Sequence, residues 1–272
     1  MNEGTGEFLT RRRLIALFIM FAVCSFIVIN ARTDDVPAPA ATMPDAASTA
    51  AMEPTDVRAI VDSAIVMEHA GRWSPALDAL ERAALLDQRD ARAALELARC
   101  LRWMHHYGEV VVAANNAVVL APANPDAIAE RVAASVSLGE GDKARHVLEA
   151  AHFDDSLVVA MNRAGVAWLL PPPQQRRLEA LQPPAHGVET IAHAERAVAH
   201  AGEGGDVMER VRAQQHLARL LARTGASERA LDLLGKLTNA PSEISSASLR
   251  IDPAWARLRG NPRFASLTGD PL

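Results

Sequence analysis

Along residues 57–158, apolar side chains recur every three or four positions, the spacing of helices with one buried stripe, and the whole pattern repeats every 34 residues. Gly71, Ala76, Leu80 and Ala83 are followed at that interval by His105, Val110, Ala114 and Ala117, and then by Gly139, Ala144, Leu148 and Ala151. Gly225, Ala230, Leu234 and Leu237 take the same spacing once more. Ala64, Ala98, Val132 and Ala218 stand seven residues before each first member. Two short helices cannot bury their stripes alone, so successive antiparallel pairs are expected to stack. Alanine recurs where paired helices cross closely, and glycine opens the turn between them. Ser74-Pro75 and Asn124-Pro125 are expected to supply a cap and a proline at the first helical position.

The repeats so defined cover 57–90, 91–124, 125–158 and 211–244. Between the third and fourth, Leu157 to Leu170 predicts a helix stopped by Pro171-Pro172-Pro173. A short helix near Gln174 to Leu181 precedes Pro183-Pro184, and another spans Val188 to Ala201. In the tail, Asp252-Pro253 and Asn261-Pro262 each predict the start of a short helix. Trp255, Leu258, Phe264 and Leu267 can then cover the open end of the last repeat.

Before the repeats, the pattern changes twice. Arg11, Arg12 and Arg13 precede an unbroken apolar run from Leu14 to Ile29, with Asp34 and Asp35 beyond it. That arrangement predicts a membrane segment with its N-terminus inside and the body outside the cytoplasm. A cleaved signal peptide is the competing reading; the length of the run and the weak site at Ile29-Asn30-Ala31 favour an uncleaved anchor. From Thr33 to Thr55, Ala, Pro, Thr and Asp replace any periodicity, and the prolines predict an extended spacer.

Composition narrows the function. Hydrophobic residues make up 49% of the chain but aromatics only 4%, a balance suited to small-residue helix packing rather than to sheets. A net charge of −5 supplies no overall basic field for nucleic acid. Cys24 and Cys100 lie in an apolar run and a helix, so no disulfide framework follows, and Cys100 reads as a core side chain. The adjacent His105 and His106 diverge on a helix. His186, His193 and His200 are spaced too widely for one ion, and no metal or other cofactor is expected. Neither a phosphate-binding glycine loop nor a Gly-x-Ser-x-Gly motif is present, so no catalytic residue is assigned. The acidic residues Asp154, Asp155, Glu140 and Asp142 fall in turns, where they cap and solubilise.

With its 34-residue period, its alanine positions and its tail, the chain resembles the tetratricopeptide repeat family over most of residues 57–267. The tail resembles that of bacterial tetratricopeptide regions attached to membrane signalling proteins. The resemblance implies an all-α, right-handed α-solenoid whose first helices line a concave groove, here with one N-terminal transmembrane helix. Some family members grip C-terminal carboxylates through Lys and Asn in that groove. The matching positions here hold Val61, Ile65, Glu96, Asp126 and Glu130, so that clamp is absent.

Periodicity then selects groove candidates. In the second repeat, Ala94, Leu97, Ala98 and Leu101 form the expected buried stripe, leaving Arg92, Leu95, Arg99, Arg102 and Trp103 on the other. In the fourth, Leu217, Ala218 and Leu221 are buried and Arg212, Arg219 and Arg223 share the opposite face. Arginine pairs bidentately with carboxylates, so Arg92, Arg99, Arg102, Arg212, Arg219 and Arg223, with Trp103 as an apolar anchor, form the expected partner-binding groove.

The expected layout is a cytoplasmic N-terminus (1–13), a transmembrane anchor (14–31), a linker (32–55), three repeats (56–158), a degenerate repeat plus extra helix (159–210), a repeat (211–244) and a capping tail (245–272). The expected function is a single-pass inner-membrane scaffold that holds a protein or peptide outside the cytoplasm, without nucleic acid or metal. A periplasmic ligand-sensing module and an enzyme sited in the 159–210 insert are the alternatives.

Overall fold

Asp56, Asp90 and Asn124 stand 34 residues apart, and each caps a helix. Their side chains accept from the backbone N–H groups of Arg58 (3.0 Å), Ala93 (2.8 Å) and Asp126 (2.9 Å), satisfying donors that a helix start leaves orphaned. The computed structural model describes residues 56–181 and 190–269. The expected anchor and the whole of the expected linker lie outside these residues. Among those described, no helix is long and apolar enough to cross a membrane.

The three caps open α1 (Val57–His69), α3 (Ala91–Trp103) and α5 (Pro125–Ser137). Each is followed by a second helix: α2 (Trp73–Leu86), α4 (Tyr107–Leu120) and α6 (Gly141–Glu149). Within each pair the turn has a left-handed residue: Gly71, His105 or Gly139, with φ of +72°, +62° and +77°. The following N–H reaches back five residues, Arg72 to Met67, His106 to Leu101 and Glu140 to Ser135, at 2.8–2.9 Å. This is the double-bonded helix ending that glycine favours. His105 is the exception among the three, and it is held by stacking on Tyr107 at 5.5 Å.

Neighbouring helices pack in sequence order, and α3 also touches both α1 and α5 directly. The repeated small positions are the seams. Ala64, Ala76, Ala83, Ala98, Ala114, Ala117, Val132 and Ala144 are all fully buried, and any larger side chain there would push two backbones apart. The expected stack of helix pairs is thus what the first three repeats form. One local expectation fails: Ser74-Pro75 does not start α2, whose N-cap is Arg72 without a side-chain bond. Asn124-Pro125 does start α5.

Beyond α6 the regular pairing lapses. The helix expected from Leu157 to Leu170 is α7 (Asp155–Arg163), ended by left-handed Gly165 and followed by a 3-10 turn at Ala167–Leu169. Next come α8 (Pro172–Leu181), α9 (Ile191–Glu203), α10 (Val207–Thr224), α11 (Ser227–Thr238) and α12 (Ser246–Ile251). The tail adds a 3-10 segment at Pro253–Leu258 and α13 (Pro262–Thr268), capped by Asp252 and Asn261 as expected. Trp255, Leu258 and Phe264 are buried in one cluster with α10 and α11, and Leu267 packs against it.

A straight solenoid would carry α10–α12 away from the first repeat. Instead this block returns along the row of turns in the first three repeats. Asp206, the N-cap of α10, meets His69 Nδ1 at 2.6 Å, and a Cβ at Gly71 would lie 3.0 Å from Val207 Cγ2. At the second turn, the Ser242 N–H donates to the carbonyl of Trp103 (2.9 Å). At the third, Ser245 Oγ donates to the carbonyl of Ser137 (2.8 Å), and Ala247 lies against Gly139. The physical reason is that helix ends leave carbonyls without partners. Here those of α3 and α5 are satisfied by the returning segment.

Candidate functional site

The returning block brings together arginines that the sequence places far apart. Arg102, one residue from the end of α3, is 2% exposed. Its Nε and Nη2 donate to Glu130 of α5 at 2.6 and 3.1 Å. Glu243, from the irregular stretch between α11 and α12, comes within 3.9 Å of the same guanidinium. Burial alone would lower the Arg102 pKa, but Glu130 and Glu243 outweigh it and hold the group above the ordinary arginine range.

Glu243 is shared. Its carboxylate lies 3.5 Å from Arg212 Nε on α10. Gln215, with its amide turned to suit, donates to Glu243 Oε2 (3.2 Å) and accepts from the Glu243 N–H (3.0 Å). The Arg212 guanidinium sits 5.4 Å over the Trp103 ring, and Trp103 in turn stacks on Trp73 at 5.2 Å. Two turns further along α10, Arg219 donates to Asp252 Oδ2 (2.9 Å) while lying 5.6 Å over Trp255. The same two-part device thus recurs, a guanidinium clamped between a carboxylate and an indole face. Arg102, Gln215, Arg219, Glu243 and Asp252 edge a narrow cleft with room for little more than a water molecule.

The irregular stretch is gripped through its backbone as well. His105 Nε2 donates to the Ser242 carbonyl at 3.2 Å, which fixes the proton on that nitrogen. Burial lowers the His105 pKa. Tyr107 bonds the Ser245 side chain, and its phenol is pushed up to about 12, chiefly by burial. Ile244 fills the apolar cluster between them.

The seven expected groove residues therefore divide. Arg102, Arg212 and Arg219 are brought to one region, but their carboxylate partners Glu130, Glu243 and Asp252 come from this chain. Trp103 is wholly buried and Leu95 nearly so, which corrects their assignment to an open groove face. The helix period identifies the stripe that meets the neighbouring repeat, but it is silent on a second buried face made by residues more than a hundred positions away. Arg102 is corrected on the same ground. Arg92 is exposed and pairs with Asp62, and Arg99 is half-buried against Glu96 (2.7 and 2.9 Å). Arg223 is exposed, and its carbonyl accepts from Arg257. Asp62, Glu96 and Glu130 again stand 34 apart, so each repeat offers an acid to an arginine from α3.

Another buried carboxyl escaped sequence reading. Glu68 is 2% exposed between α1 and α3, with Oε1 unbonded and the Cys100 thiol against the carboxyl group. Its pKa is raised to about 7, first by burial, with Glu96 and Glu130 adding to the rise against the Cys100 hydrogen bond and Arg99. Burial likewise raises the Cys100 thiol. Its repeat equivalent, Arg102, stands 34 residues on; a charged residue at a core-facing position in both repeats is the signal available. His193 and His200 are exposed, and no group of three or more metal-ligating side chains occurs among the described residues.

No family model matches the sequence, and no curated protein matches it. Among solved structures, the chain is similar to the yeast Tom70 crystal structure, with 13% sequence identity and a TM-score of 0.34. The match covers 79% of this chain and 52% of that one, so this chain spans about half the length of its structural neighbour.

Proposed function

We propose that this chain is a membrane-tethered scaffold that holds a protein or peptide partner rather than converting a substrate. The observation that carries this reading is the stack of three helix pairs in strict 34-residue register, which presents equivalent side chains at regular intervals along the stack. Arg92 and Arg99, seven residues apart on α3, are the solvent-accessible members of that series. Asp62, the partner of Arg92, is exposed, where such a pair is worth about 0–1 kcal/mol and exchanges readily for a partner's acids, whereas Glu96 holds Arg99 from a buried position. Tethering rests on the run Leu14–Ile29 behind three arginines, which favours a body outside the cytoplasm.

The test is capture of protein partners from gently solubilised membranes by the full chain. Partner recovery is expected to fall at least tenfold for Arg92→Glu combined with Arg99→Gln, while helicity and membrane association are retained. Undiminished recovery with that variant overturns the role of α3. A complete lack of any retained protein overturns the scaffold reading.

A further inference from the structure

We propose that the seat occupied by Ser242–Ser245 is a segment-recognition site whose present occupant is displaceable, standing in for a partner segment with one carboxylate followed by an aliphatic residue. This deepens the scaffold reading and rests on it.

The occupant has the form of a bound peptide. Asn239–Ser245 belongs to no helix, and Ser245 has extended backbone angles (φ −106°, ψ 157°). Main-chain groups carry much of the grip: the Ser242 N–H on the Trp103 carbonyl, the Ser242 carbonyl on His105 Nε2, and the Glu243 N–H on Gln215. Residues 240–243 form a bend, and any segment that follows the same bend offers those main-chain groups, so they supply affinity without sequence preference. Side chains supply the selection. Glu243 enters between Arg102 and Arg212, Ile244 enters the apolar cluster, and the Ser245 hydroxyl caps the α5 end at Ser137.

Charge sets the number of acids. Without the segment, the seat holds two guanidinium groups, Arg102 and Arg212, against one carboxylate, Glu130. One further carboxylate balances it, and Glu243 provides that one. The carbonyls of Trp103 and Ser137 also need donors whenever the seat is empty. An acidic, partly apolar segment therefore fits this seat in chemistry and in charge, and an unoccupied seat is unfavourable. On this proposal a partner segment with the same chemistry takes the place of Ser242–Ser245.

The experiment uses the full chain and a fluorescent peptide of residues 239–249, followed by anisotropy. The peptide is expected to bind Glu243→Ala at least tenfold more tightly than wild type, because the internal carboxylate no longer competes. A peptide with glutamine in place of its glutamate is expected to lose at least tenfold on that variant, and so is the original peptide on Glu243→Ala with Arg212→Ala. Equal binding to wild type and Glu243→Ala, or indifference to the peptide's glutamate, overturns the proposal. If Glu243→Ala melts without cooperativity, Glu243→Gln carries the same comparison with the same ordering. A chain that discriminates the peptides but retains no membrane partner contradicts the scaffold instead. One that retains a partner sensitive to Arg92 and Arg99 but ignores the peptides contradicts only the seat.

Discussion

Arg102 gives Glu130 two hydrogen bonds, of 2.6 and 3.1 Å, with both side chains sealed from solvent between the ends of α3 and the middle of α5. A buried pair of this kind costs desolvation on both sides, so its loss is asymmetric. Removing one partner strands a charge, whereas removing both leaves an apolar gap. Arg102→Met is expected to destabilise by about 3–5 kcal/mol in urea titration, and Arg102→Met with Glu130→Leu by clearly less. A double variant as unstable as the single would contradict an isolated pair and implicate Glu243.

Glu68 makes stability depend on pH. Its folded pKa of about 7 lies above the ordinary glutamate value of 4.5. The folded state therefore holds the proton more tightly, and the contribution is fully present below the unfolded pKa. It is lost as pH rises through about 7. At 1.36 kcal/mol per unit the full loss is about 3 kcal/mol. Glu68→Gln is expected to flatten this fall in urea midpoints measured between pH 5 and 8. An unchanged slope would place Glu68 in contact with water.

The left-handed turns separate backbone strain from docking. A Cβ at Gly225 (φ +86°) meets nothing within 4 Å, whereas one at Gly71 (φ +72°) meets Val207 at 3.0 Å. Alanine at either site pays about 1–2 kcal/mol for a left-handed backbone. Gly71→Ala is expected to cost more than Gly225→Ala in thermal unfolding, the excess reporting the contact with α10. Equal costs would mean that α10 does not press on the first turn.

Overpacking probes the seams. Ala64 and Ala98 occupy the same repeat position and are fully buried. Leucine at either is expected to cost about 1–3 kcal/mol or more, because two helices must separate to admit it. Leucine at exposed Ala192 should leave the urea midpoint nearly unchanged.

Much of the fold could be read from spacing because its causes are local. Ala64, Ala98, Val132 and Ala218 are buried for the same reason at each repeat, and Asp252 and Asn261 cap helices through bonds to N–H groups two residues away. The site was legible only in its ingredients. Arg102, Arg212 and Arg219 were selected as carboxylate binders, and they bind carboxylates, but Glu243 and Asp252 belong to this chain. Nothing in the period of α3 encodes that Trp103 is covered, since Arg212 and Ser242 cover it from a block that returns. Ser242 and Ser245, flanking an acid and an isoleucine, carry little pattern by themselves.

The account turns on that return, and cysteine pairing measures it directly. The Cβ position at Gly71 lies 3.5 Å from Val207 Cβ, within the range that a disulfide spans. In full chain with Cys24→Ser, oxidation of the variant Gly71→Cys with Val207→Cys is expected to give a rapid intramolecular crosslink, seen as a monomer of altered mobility that reverts on reduction. Free thiols after oxidation, or crosslinks only between chains, would contradict a solenoid that folds back upon its own first turn.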